Sequence, residues 1–304
     1  MKSNMKYTLD GYPMPSTILL ASGGVRGFSY IGALEELERR GCLAGLKTWA
    51  GVSAGSLTAA SLAIGYTLAE MRDVIVRFNF GVLKNINETS PLRLFDTYGL
   101  DNGEMMRRFF HALLHVRGLP DTYAFKDLPA DRDLKIWVTN LSRGRLECFS
   151  RATTPDIPIM FAVQASSTIP VVFDPIRSTD GDLLIDGAVI NAFPMHALSP
   201  EERADALGII CVSDLSNSHP EDFTDYLKKC LLLGFEYRSH SNIETFRDQV
   251  ITIDTTDISA IEFEISSADK KRLIDRGAET MRTFLAAARQ KRHGRIERRH
   301  SWHA

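Results

Sequence analysis

Along residues 16–56, STILLASGGVRGFSYIGALEELERRGCLAGLKTWAGVSAGS, the pattern of apolar positions changes twice. Ser16–Ala21 is a short apolar run and reads as a buried strand. Phe28–Arg40 carries apolar residues at helical spacing and stops at Gly41, which reads as an amphipathic helix. Leu46–Gly51 is a second short apolar run. Together they form a β-α-β unit. Such crossovers are nearly always right-handed and make a parallel sheet, so the loops after the two strands, SGGVRG at 22–27 and GVSAG at 51–55, leave the sheet at the same edge. Two Gly-rich loops should therefore face one another.

Farther along, residues 67 to about 130 read as helical with breaks at NETSPLRLFDTYGLDNGE and GLPDTYAF, and are expected to form part of a lid or cap. DLKIWVTNL and RLECFSR read as strands joined across Ser142–Gly144. VVFDPIRSTDGDLLIDGA reads as two strands that turn at Asp180-Gly181, and LGIICVSD and QVITIDTTD supply two more. The leucines of YLKKCLLLGFEY suit a core helix under the sheet better than a lipid contact. The final helix is expected from Ser267 to about Ala288. Strands and helices intermix with no internal repeat, which favours a layered α/β fold in one domain.

Composition changes this picture little. At 304 residues, with 44% hydrophobic and 24% charged, the chain has the length and makeup of a globular protein with a core, and disorder is not the expectation. Cys42, Cys148, Cys211 and Cys230 are far apart with no C-x-x-C pair, which fits reduced thiols and neither a disulfide framework nor a metal cluster. Asp10, Pro13 and Pro15 interrupt the N-terminus where a secretory signal needs an apolar run, and no apolar stretch approaches the ~18 residues of a membrane span. A cytoplasmic protein is expected. Asn87-Glu-Thr89 is then a sequon without a secretory route. His111 and His115 share a helix face but lack the glutamate of H-E-x-x-H, so a structural helix face is favoured over a metal site.

Charge is segregated. The net charge is -2, yet residues 289–304 hold six Lys or Arg against one Glu. That basic end reads as an inert disordered tail or as a peripheral contact with anionic membrane.

The chemistry concentrates at Ser53. Gly-x-Ser-x-Gly alone is a weak pattern, but here an apolar strand precedes it and an Ala- and Leu-rich helix follows. In such an elbow the nucleophile occupies a strained backbone position, and Gly51 and Gly55 leave room for neighbouring backbone. The loop SGGVRG fits neither G-x-G-x-x-G nor G-x-x-x-x-G-K-[ST]. Opposite Ser53 its backbone N–H groups would form an oxyanion hole, with Arg26 as a further cation or as a structural ion-pair partner. A base is also needed. Asp186 follows the apolar run Leu183–Ile185 and so should sit where a strand meets its loop, whereas Asp180-Gly181 is an ordinary turn pair. His196, His219 and His240 remain candidates, because the order Ser, Asp, His also suits a triad.

GGVRG, GVSAG, ASSTIP at 165–170 and DGA at 186–188, in this order, resemble the signature blocks of the patatin-like phospholipase family, and the likeness extends from about Ser16 to Ala288. It implies a three-layer α/β/α fold with a largely parallel central sheet and a serine elbow. By position the nucleophile is Ser53, the base is Asp186 in a Ser-Asp dyad without histidine, and Gly23, Gly24, Val25, Arg26 and Gly27 build the hole. Residues 1–15 would be an extension, 16–288 the acyl hydrolase domain and 289–304 the tail. Ser22 and Ala188 stand where many members have glycine. The implied activity is hydrolysis of phospholipid or related lipid esters through an acyl-serine, with no metal or other cofactor and no nucleic-acid partner. The rivals are another acyl donor such as a neutral lipid or thioester, and a silent lipid-binding scaffold. An unperturbed Asp, with a pKa near 4, is a weak base at neutral pH, so Asp186 is expected to be partly buried.

Overall fold

A computed structural model describes residues 5–86, 90–214, 219–221 and 223–300. The sequon at 87–89 lies outside them. The short apolar runs become strands buried on both faces, as parallel strands covered by helices must be. β1 (Thr17–Leu20), β2 (Thr48–Val52), β3 (Asp133–Asn140), β4 (Arg145–Ser150), β5 (Ile176–Arg177), β6 (Leu183–Asp186), β7 (Ala206–Val212) and β8 (Val250–Asp254) form one sheet. Its order is β8-β7-β1-β2-β3-β6-β5, with β4 on the other side of β3. β8, β7, β1, β2 and β3 are mutually parallel, and β4, β6 and β5 join antiparallel.

Alternation along β1 divides the core. Ile18 and Leu20 point into a large cluster with the helices Phe28–Arg39, Ala54–Ala63 and Ile159–Ser166 and with Leu273, Ile274 and Met281 of the closing helix. Leu19 and Ala21 point into a second cluster with Trp137, Phe193 and Met195, against which Phe235, Ile243 and Phe246 pack. Helices thus cover both faces in a three-layer α/β/α arrangement. The first and closing helices touch backbone to backbone. A Cβ on Gly32 would lie 1.8 Å from the Ile274 carbonyl oxygen, and one on Gly277 would lie 1.8 Å from that of Ser29.

Three expectations are refined. The closing helix runs from Ser267 to His300 rather than ending near Ala288, because the basic stretch consists largely of good helix formers. Two of its cations are spent internally, with Arg289 over the Tyr12 ring and Arg292 over the Tyr7 ring, clasping the N-terminal hairpin of Lys6–Tyr7 and Pro13–Met14. The predicted strand at 171–177 is split at Pro175, which cannot donate to a ladder. Val171–Phe173 instead pairs with Gly99–Asp101 in a separate small sheet, and only Ile176–Arg177 joins the hairpin that turns at Gly181. The described residues of 67–130 form the expected helices, including Leu68–Arg77 and Glu104–Val116, and place Phe78, Phe80 and Phe109 in one aromatic group with Phe28.

Candidate active site

Strand register assembles the site. β4 occupies one side of β3, so β2 and β6 share the other. They approach from opposite directions. β2 ends with Val52 opposite Trp137, and β6 ends with Asp186 opposite Val138, the next residue of β3. Two strand ends therefore meet head-on, and the residue after Val52 is Ser53. The Ser53 side chain and the Asp186 carboxylate come together at one cavity, near enough for Ser53 to favour the ionised carboxyl, although 133 positions separate them in the chain.

The elbow has the strain that its pattern implies. Ser53 has φ 53° and ψ -125°, in left-handed space that an L-residue adopts only under constraint, and the helix Ala54–Ala63 begins immediately after it. The constraint comes from close packing around the flanking glycines. A Cβ on Gly51 would lie 2.4 Å from the Gly55 backbone, and one on Gly55 would lie 2.2 Å from the Leu20 carbonyl oxygen.

The block ASSTIP carries no role that sequence reasoning assigned, and the structure supplies one. Ser166 Oγ accepts the Ser53 N–H at 2.9 Å and donates to the Trp137 carbonyl oxygen at 2.7 Å. The Thr168 carbonyl oxygen accepts the Asp186 N–H at 2.9 Å. One short segment thus ties both strand ends. Ser166→Ala is expected to leave the Ser53 N–H and the Trp137 carbonyl unpaired, lowering stability by about 1–3 kcal/mol and kcat more than KM. Thermal denaturation and steady-state kinetics on a soluble ester check this.

Asp186 is buried, and one of its oxygens accepts the Ala188 N–H at 2.9 Å. Burial outweighs this bond and the influence of Ser53, raising the carboxyl pKa to about 7. The expected remedy for a weak base is present in stronger form, since burial is complete rather than partial. Ala188 replaces glycine without penalty because it opens the short helix Ala188–Asn191.

The Gly-rich loop faces Ser53 across the same cavity, as the β-α-β reading requires. Ser22, Gly23, Gly24, Arg26, Ser53 and Asp186 all line a cavity of about 90 Å³. Within the loop, the Val25 N–H donates to the Ala260 carbonyl and the Arg26 N–H to that of Gly23. The N–H groups of Gly23 and Gly24 have no backbone acceptor among the described residues outside regular helices and strands. Gly24 has φ 54°, and a Cβ there would lie 1.8 Å from the Ala260 carbonyl oxygen. Gly27 packs away from the cavity, against Ala54. Arg26 is buried, and its Nη1 donates to Ser213 Oγ at 2.5 Å on the cavity wall.

The other candidates make no bond to this pair among the described residues. His196 is exposed, with Nδ1 at 3.4 Å from Asn191 Nδ2 and 3.3 Å from Asn242 Oδ1, and His219 is exposed. His240 lines the cavity, and among the described residues none of the three has a hydrogen bond to Ser53 or Asp186. His111 and His115 both lie against Asp121, and no group that could hold a metal ion occurs among the described residues. Among the described residues, no lining residue comes from 67–130, the expected lid. That wall is the helix Phe223–Thr245, through Leu232, Phe235, Ser239, His240 and Ile243. The remaining lining is mostly apolar, with Ile169, Val172, Ile210 and Ile261 among it.

The profile of the patatin-like phospholipases matches residues 18–199, more than half of the chain. The chain belongs to this family. A probable lipid hydrolase, 463L of invertebrate iridescent virus 6, is 24% identical over 73% of this chain and 81% of its own length. YqhO of Bacillus subtilis, uncharacterized, is 26% identical over 88% of this chain and 97% of its own. Among solved structures, VipD of Legionella pneumophila superposes with a TM-score of 0.60 at 17% identity, covering 95% of this chain and 71% of that one. That likeness extends to the fold alone. Membership in the patatin-like phospholipases covers the elbow, the Gly-rich loop and the aspartate block, and makes the chain a lipid hydrolase by family.

Proposed function

We propose that the chain is a phospholipase A-type serine hydrolase that cleaves acyl esters of phospholipids or related lipids with a Ser53–Asp186 dyad. The observation that carries this reading is the head-on meeting of β2 and β6, which sets the serine hydroxyl on a buried carboxylate. As Ser53 Oγ attacks the ester carbonyl carbon, Asp186 takes its proton. A carboxyl pKa of about 7 suits a base working near neutral pH. The oxyanion that forms lies within reach of the Gly23 and Gly24 N–H groups, each such donor being worth about 3 kcal/mol in the transition state. Collapse breaks the ester C–O bond, the leaving alcohol takes the proton from Asp186, and the acyl group remains on Ser53. Water then attacks the acyl-serine with Asp186 again as base, releasing a fatty acid. The apolar lining suits an acyl chain.

Incubation with a panel of phospholipids, lysophospholipids, neutral lipids and acyl thioesters, followed by mass spectrometry of the products, tests the reading. Free fatty acid and a lysophospholipid are the expected products. Release only from neutral lipids or thioesters would refute the phospholipid assignment, and no release from any donor would favour a silent lipid-binding protein.

A further inference from the structure

The helix Phe223–Thr245 has two apolar faces. One, through Leu232, Phe235 and Ile243, forms the cavity wall described above. The other is in solvent. Tyr226, Cys230, Leu233 and Tyr237 recur at spacings of four, three and four, and all are exposed, Tyr237 to 82%. At 100° per residue they form one stripe ~16 Å long, roughly 150° around the helix from the cavity face. A helix that covers a core needs one apolar stripe, and a second marks a contact surface.

We infer that this stripe is a docking surface for the phospholipid bilayer, a proposal that rests on the lipid hydrolase reading above. Size argues for a lipid surface over a protein partner. A strip ~16 Å long and ~10 Å wide offers ~160 Å², whereas a stable dimer needs about 800 Å² from each partner. Shallow insertion among headgroups needs no such area, because each apolar side chain gains on its own. The composition agrees. Two tyrosines bracket the stripe, with apolar rings and polar tips that suit a membrane interface, and no charged residue interrupts it. Continuity with the site completes the case, since one helix separates the stripe from the Ser53 cavity and docking brings the substrate-bearing surface to its edge.

Cys230 is the exposed thiol of the four and provides a native probe site. With Cys148 replaced by serine, the full-length protein carries an environment-sensitive fluorophore on Cys230. Its emission is expected to shift to the blue on addition of phosphatidylcholine–phosphatidylserine vesicles. The double variant Leu233→Asp, Tyr237→Asp should lose at least about tenfold in vesicle hydrolysis. Its hydrolysis of a short soluble ester and its labelling by a fluorophosphonate should match wild type. An unchanged emission together with wild-type vesicle hydrolysis by the double variant overturns the proposal. So does a self-associated wild type that the double variant turns into monomer, which would give the stripe to a second copy. Vesicle-induced shift without hydrolysis of any ester would leave docking standing while the hydrolase reading fails.

Discussion

Ser53→Ala is expected to abolish both turnover and labelling by a fluorophosphonate probe, while the protein melts at or near the wild-type temperature. The elbow presents the Ser53 hydroxyl to the cavity beside the Gly-rich loop and beside the buried Asp186 carboxylate. Loss of the nucleophile removes the covalent route, and turnover should fall by roughly 10⁴-fold or more. Folding is spared because the Ser53 N–H still donates to Ser166 and the flanking glycines still fit their contacts. Gel-based probe labelling and a melting curve decide the matter together. Labelling that persists in Ser53→Ala would move the nucleophile elsewhere.

Asp186→Asn should reduce turnover about as deeply, since the two residues act as one unit and their losses do not add. In wild type, the group that must be ionised to act as base titrates at about 7. kcat/KM should therefore rise tenfold per pH unit below that value and level off above it, with no second ionisation near neutrality if no histidine takes part. His196→Ala, His219→Ala and His240→Ala should each retain most of the activity. A single histidine variant that folds normally yet is as inactive as Ser53→Ala would replace the dyad by a triad.

The same carboxyl makes a stability prediction of opposite sign. Its folded pKa is raised above its unfolded value of about 3.8, so the native state holds a proton that the unfolded state has released between these two pH values. Stability contributed by this group is full below pH ~4 and is lost as pH rises to ~7. The penalty at higher pH is on the order of 4 kcal/mol at most. Asp186→Asn removes it, so the variant should melt several degrees above wild type at pH 8, with the gap closing towards pH 4. An equal melting difference at both pH values would show that burial of the charge is not its source.

The local pieces of the site are written in short segments because their physics is local. A strand must be apolar where helices cover both faces, an elbow needs glycine where backbone passes backbone, and a chain crossing from one parallel strand to the next brings their loops to one edge. β1, the first helix, β2 and the two Gly-rich loops were therefore legible without coordinates, as was the turn at Asp180-Gly181. The lid was not, since the spacing within residues 67–130 specifies helices but not the face against which they pack. The aromatic group of Phe28, Phe78, Phe80 and Phe109 draws that region to the first helix instead. The length of the closing helix was underestimated because charge was taken as a sign of disorder, whereas Arg289 and Arg292 each find an aromatic ring in the N-terminal hairpin.

By itself the sequence determined the serine, its strained turn, the candidate aspartate and the class of fold. Only the tertiary structure decided that Ser53 and Asp186 touch. That contact depends on the register of two strands against β3, and register is a non-local quantity that no window around either residue contains. It also decided the role of Ser166, whose two bonds join segments 113 and 29 residues away. The titration of Asp186 belongs to the structure as well, because desolvation is a property of what surrounds a side chain in space.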